Sequence, residues 1–86
     1  LSEDELILSG YYFLKQDDFN KALKIFKLAV ETFPSKWNPH QSYAEALMKI
    51  GQKKEALASF KKSLKLNPKN GRAARMIEIL ENGRKE

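Results

Sequence analysis

His40 is the only histidine in the chain, and cysteine is absent. A zinc centre draws on several His, Cys, Asp or Glu ligands at set spacings. No acidic pair stands at ligand spacing beside His40, so no metal site is expected. A general base also needs placed partners, which suggests that His40 helps start or pack a helix. The six serines are scattered and lack the Gly-x-Ser-x-Gly turn that exposes a nucleophile. The glycines form no phosphate-cradling loop, and Gly71 beside a helix start has a structural explanation. Asp17 and Asp18 are adjacent at a helix start, where their side chains diverge instead of sharing a proton. Read this way, the chain has no catalytic residues and needs no cofactor or metal.

Charge offers a second kind of chemistry. Residues 1–20 hold one lysine against five acids, a net of −4, and residues 21–86 hold fifteen Lys/Arg against six acids, a net of +9. Such polarity steers acidic partners, although a lysine-rich solvated helix face gives the same numbers. Lys53, Lys54, Lys61, Lys62, Lys65 and Lys69 would suit phosphate neutralisation. Base-stacking aromatics are lacking nearby, and Lys61, Lys62 and Lys65 fall on the outer face of one helix. A nucleic-acid partner is therefore disfavoured.

The elements that must position these groups recur with a period of 34 residues: Ala22, Leu23, Phe26 and Pro34 return as Ala56, Leu57, Phe60 and Pro68. A period of this size marks stacked supersecondary units, none with core enough to stand alone. Ser2-Glu3-Asp4-Glu5 has the form of a capping box. Leu6, Phe13 and Leu14 follow at helical spacing around Gly10, a glycine that lets another backbone approach. Asp17-Asp18 restarts a helix carrying Phe19, Ala22, Leu23, Phe26, Ala29 and Val30, which Pro34 ends. Asn38-Pro39 reads as a cap followed by proline at the first helical position, opening a helix through Tyr43, Ala44, Leu47 and Met48 to near Gly51. The next helix carries Ala56, Leu57, Phe60, Leu64 and Leu66 and closes at Asn67-Pro68. Asn70 caps a fifth, with Ala73, Ala74, Ile77 and Leu80 as its apolar face. No stretch alternates with a period of two, which excludes strands as the main element. Short connections make each consecutive pair an antiparallel hairpin.

At 86 residues the chain is one small domain. With 42% hydrophobic and 31% charged residues it has the composition of a folded, soluble protein. No apolar run approaches the roughly 20 residues of a membrane span. The lack of cysteine fits either redox compartment. Leu1 in place of an initiator methionine suggests an excised domain or a processed product.

The residues quoted above resemble the tetratricopeptide repeat. Gly10, Phe13, Ala22, Phe26, Ala29 and Pro34 match its pattern across 3–36. Tyr43, Ala44, Leu47, Ala56, Phe60 and Pro68 match it across 37–70, with Ser63 where alanine is usual and His40 in a slot that is commonly aromatic. Residues 71–82 look like the covering helix of such arrays, and 83–86 form a tail. The resemblance implies an all-α, right-handed superhelical array of antiparallel helix pairs, with five helices. It also implies a protein–protein interaction module whose first helices line a concave groove. Carried over residue by residue, that groove holds Ile7, Tyr11, Leu14 and Lys15, then Gln41, Glu45, Met48 and Lys49, then Arg72 and Arg75, with Asp4, Asn38 and Ile79 beside them. An apolar strip with cationic arms suits an extended or helical peptide bearing acids. The plainer reading of Ile7 and Leu14 is that they complete the core.

Members that clamp a chaperone's C-terminal carboxylate use Lys and Asn, then Asn, then Lys and Arg. The equivalent positions here are Ile7 and Tyr11, then Ser42, then Arg72 and Met76, so only Arg72 keeps the charge and that ligand is not expected. A looser similarity, from Phe33-Pro34 through Trp37-Asn38 to Leu64–Pro68, is to short two-repeat tails of some bacterial hydrolases, often exported ones. It implies, as an alternative, a C-terminal accessory domain whose catalytic residues lie outside this chain. Incomplete end repeats also allow self-association.

Overall fold

The computed structural model describes residues 1–83, so 84–86 of the expected tail lie outside the described residues. Its five helices are α1 (Glu3–Lys15), α2 (Phe19–Thr32), α3 (Trp37–Lys49), α4 (Lys53–Leu66) and α5 (Gly71–Asn82), and no strand occurs among the described residues. The period is visible in the helices themselves: α1, α3 and α5 begin at residues 3, 37 and 71, each 34 after the last. Consecutive helices pack on one another, and α1 also reaches α3. The result is the expected array of helix pairs.

Local chemistry sets the helix ends. At α1 the Glu5 backbone N–H donates to the Ser2 hydroxyl at 3.1 Å, and the Ser2 N–H donates to the Glu5 carboxylate at 2.8 Å. This is the capping box that the sequence implies. Both inter-helix turns within a pair close alike: Asp18 N–H reaches the Phe13 carbonyl, and Gln52 N–H reaches that of Leu47, each at 2.9 Å. The residue before each donor is left-handed, Asp17 at φ 59° and Gly51 at φ 80°. Glycine adopts that conformation freely, and aspartate tolerates it better than most residues. Asp18 then caps α2 by accepting from Lys21 N–H at 3.2 Å.

Two expectations are corrected. α3 starts at Trp37 with Lys36 at its N-cap, so Asn38 does not cap it. Pro39 sits third in the helix, inside the first turn, where its missing N–H still costs no intrahelical bond. Its fully buried ring explains the position: the proline packs while it opens the helix. On α5 the buried residues are Ala73, Met76 and Ile79, whereas Ala74 is exposed and Ile77 and Leu80 are half-buried. The apolar residues of α5 cover more than one stripe, and packing against both α3 and α4 selects the deeper one.

The interior consists of two clusters. One gathers Leu6, Ile7, Ala22, Phe26, Ala29 and Ala46, and the other Ala44, Leu47, Ala56, Phe60, Ala73, Met76 and Ile79. Phe26 and Phe60 are fully buried, one in each. Leu23 and Tyr43 pack against both clusters and join them.

Candidate partner-binding surface

Residues from α1, α3 and α5 converge around Tyr11. Its ring meets the Phe26 ring edge-on, with centroids 5.0 Å apart and planes at 67°. Phe26 is fully buried in the core, and Tyr11 rests against it half-buried at the surface. The Ser42 hydroxyl, Glu45 and Arg72 all lie close enough to the phenol to act on its ionisation. Burial pushes its pKa above the usual tyrosine value; Ser42 opposes the shift, Glu45 adds to it and Arg72 opposes it.

Glu45 and Arg72 form a two-point ion pair in this region. Arg72 donates through Nε to Oε2 at 3.0 Å and through its terminal nitrogen to Oε1 at 3.1 Å. This two-pronged geometry matches the planar guanidinium to the carboxylate, and it ties α5 to α3. Gln41, one turn earlier on α3, accepts from the Asn70 side-chain amide. That amide also donates to the Ser63 hydroxyl at 3.1 Å, and Ser63 in turn donates to the Trp37 carbonyl at 2.9 Å. The serine that replaces the usual alanine at 63 therefore anchors the start of α3 and the cap of α5 to α4.

The ten residues expected to meet a partner fall into three groups. Tyr11, Leu14, Met48, Gln41 and Glu45 are half-buried, with Leu14 and Met48 leaning on the first and second clusters respectively. Lys15 and Lys49 are exposed at the last residues of α1 and α3, and Arg72 and Arg75 are exposed on α5. Ile7 is different: at 7% exposure it belongs to the first cluster, and so does little but complete the core. Ile79 is likewise buried in the second. Sequence reasoning treated Arg72 as a cationic arm and missed its engagement with Glu45, which lies 27 residues away. It also gave Ser42 no role beside Tyr11, since nothing local to either residue brings them together.

His40 and the lysines lie elsewhere. His40 is buried, and its Nε2 donates to the Pro34 carbonyl at 2.9 Å, fastening α3 to the end of α2. Lys61, Lys62 and Lys65 are exposed on α4, and Lys61 pairs with Glu81 at 2.8 Å. Among the described residues no three His, Asp or Glu side chains gather as metal ligands, and no helix is long and apolar enough to cross a membrane.

A family model described as tetratricopeptide repeat matches residues 13–80. A search of curated proteins finds no match. Among solved structures, the chain is similar to the TPR2B domain in the pHsp70 complex of yeast Sti1, with a TM-score of 0.86 at 22% identity over 94% of this chain and 65% of that one. It is also similar to a mutant of MamA, with a TM-score of 0.80 at 23% identity over 95% of this chain and 45% of that one. At such identities the likeness is one of fold, and the chain spans less than two thirds of either structure's length. The recurrence of its small and aromatic residues and a family model covering most of its length lead to one assignment: the chain belongs to the tetratricopeptide repeat family.

Proposed function

We propose that the chain is a non-catalytic interaction module that binds a peptide or partner segment along the face formed by α1, α3 and α5. Tetratricopeptide repeat domains are in general protein–protein interaction modules. The observation that most supports this reading is the meeting of Tyr11, Glu45 and Arg72 from three helices. A half-buried ring pinned on Phe26 gives a rigid apolar anchor, the kind of residue that dominates binding energy at small interfaces. Lys15 and Lys49 add exposed positive charge at two helix C-termini, where an acidic ligand side chain gains a partner. Arg72 and Glu45 satisfy each other in the free protein, so their contribution is orientation more than net charge.

The yeast Sti1 domain is described in complex with pHsp70, and we do not extend that ligand to this chain. The five positions matching a carboxylate clamp hold Ile7, Tyr11, Ser42, Arg72 and Met76. Ile7, Ser42 and Met76 are buried and Arg72 is held by Glu45, so the convergent cationic donors are missing.

The test is a pull-down from host extract, at physiological and then raised salt, comparing wild type with Tyr11→Ala/Lys15→Glu/Lys49→Glu after circular dichroism shows both folded. A protein retained by wild type and lost from the variant supports the reading and identifies the ligand. Equal capture by both, or capture of nothing specific, overturns it and favours an accessory domain serving a larger chain.

A further inference from the structure

The internal repeat makes the two ends of the molecule comparable with its middle. Glu5, Leu8 and Tyr12 stand on one stripe of α1. Their counterparts 34 residues on are Pro39, Ser42 and Ala46 of α3, and all three are buried. Ala46 lies within the cluster built from α1 and α2, so on α3 this stripe is where the preceding helix pair sits. On α1 no described residue covers it: Leu8 is 71% exposed and Tyr12 60%. Leu28 of α2 is also exposed. Isolated apolar side chains on a surface need no explanation, but these occupy positions that the same molecule uses internally as an interface.

The other end has an open apolar feature of its own. α4 and α5 leave a groove lined by Leu64, Pro68, Ala74 and Ile77, with Lys65 and the Lys61–Glu81 ion pair along its walls. The charges of the two ends are opposite. Glu5 heads the α1 stripe and Asp4 precedes it, within a segment of net −4, while Lys62 and Lys65 of α4 and Lys69 just after it add positive charge beside a Lys61 already paired with Glu81. The Ser2 backbone N–H and hydroxyl hold the Glu5 carboxyl below its ordinary pKa, so that charge persists.

We propose that the chain associates with itself head to tail, the α1 stripe of one copy seated in the α4–α5 groove of the next. Apolar side chains meet apolar side chains, and Asp4 and Glu5 come opposite the α4 lysines. Every copy carries both surfaces, so the contact is heterologous and either propagates or closes into a ring. It uses none of Tyr11, Lys15 or Lys49, so the variant that tests partner binding leaves it intact.

Sedimentation velocity over a wide concentration range, at low and raised salt, tests it with two variants. Leu8→Lys/Tyr12→Lys blocks the head and Lys65→Glu/Ala74→Glu blocks the tail. All four side chains are exposed, and circular dichroism checks the fold. The average mass of wild type is expected to rise from the 9.9 kDa monomer past that of a dimer, less so at high salt, where charges are screened. Each variant alone stays monomeric, and an equimolar mixture of the two gives a dimer that grows no further. A wild type monomeric throughout, a tail-blocked variant that still dimerises, or a mixture that stays monomeric overturns the proposal. So does loss of association in Tyr11→Ala/Lys15→Glu/Lys49→Glu, which would move the contact to the other face.

Discussion

A Cβ placed on Gly10 would stand 2.2 Å from the Phe26 ring, and the nearest atoms are all of that ring. Phe26 is fully buried and carries the Tyr11 ring on its other contacts, so it cannot yield without moving the surface above it. Gly10→Ala is expected to lower stability by about 1–3 kcal/mol through overpacking, despite alanine's better helix propensity. Gly71→Ala is the control: no heavy atom lies within 4 Å of its Cβ, and the change should be neutral or slightly stabilising. Urea denaturation of the two variants separates them. That Gly10 makes room for a neighbour was legible in the sequence, because glycine inside a strong helical pattern needs a reason, but the neighbour is the Phe26 ring and not the expected backbone. The Glu45–Arg72 pair was not, since periodicity places residues on faces without telling which side chains of different faces touch. For the same reason Ile7 and Tyr11 looked alike in the sequence, while only Tyr11 stays at the surface.

Helix α5 shows how much one capping residue can organise. Asn70 accepts from Ala73 N–H at 3.1 Å through its carbonyl oxygen, and its amide donates to Gln41 and Ser63. One buried side chain therefore caps α5 and ties it to α3 and α4. Asn70→Ala removes the cap and takes a partner from the buried Ser63 and the half-buried Gln41, for an expected loss of about 2 kcal/mol, measured by the shift in the thermal or urea midpoint. Hydrogen exchange should show the loss first in the opening turn of α5. The five helices, their spacing and most of their ends could be read from the sequence, because capping residues, proline and the apolar period act locally. The start of α3 could not. Asn-Pro is a good opening pair, but the buried ring of Pro39 and the tether from Ser63 to the Trp37 carbonyl begin the helix earlier. Helix α5 was misjudged in a related way: its apolar residues allow two faces, and only contact with α3 and α4 decides between them.

The molecule spans 36 × 26 × 16 Å, and its thinnest dimension is less than two helix diameters. A body this thin has no centre remote from solvent, and its interior is divided along its length into two clusters. Leu23 and Tyr43 are the side chains that belong to both. That joint governs whether the chain unfolds as one body. In a linear array, cooperativity comes from the coupling between neighbouring units more than from the stability of each. Leu23→Ala is expected to lower the urea m-value as well as the midpoint, because the halves then unfold over different ranges. Leu64→Ala, which touches only the second cluster, should shift the midpoint and leave the slope alone. Coincident curves from near- and far-ultraviolet probes in Leu23→Ala would show that the halves remain coupled without it. If the curves separate, half of the molecule can open while the other stays native. A ligand that bridges α1 and α5 would then act as a second joint and restore a single transition.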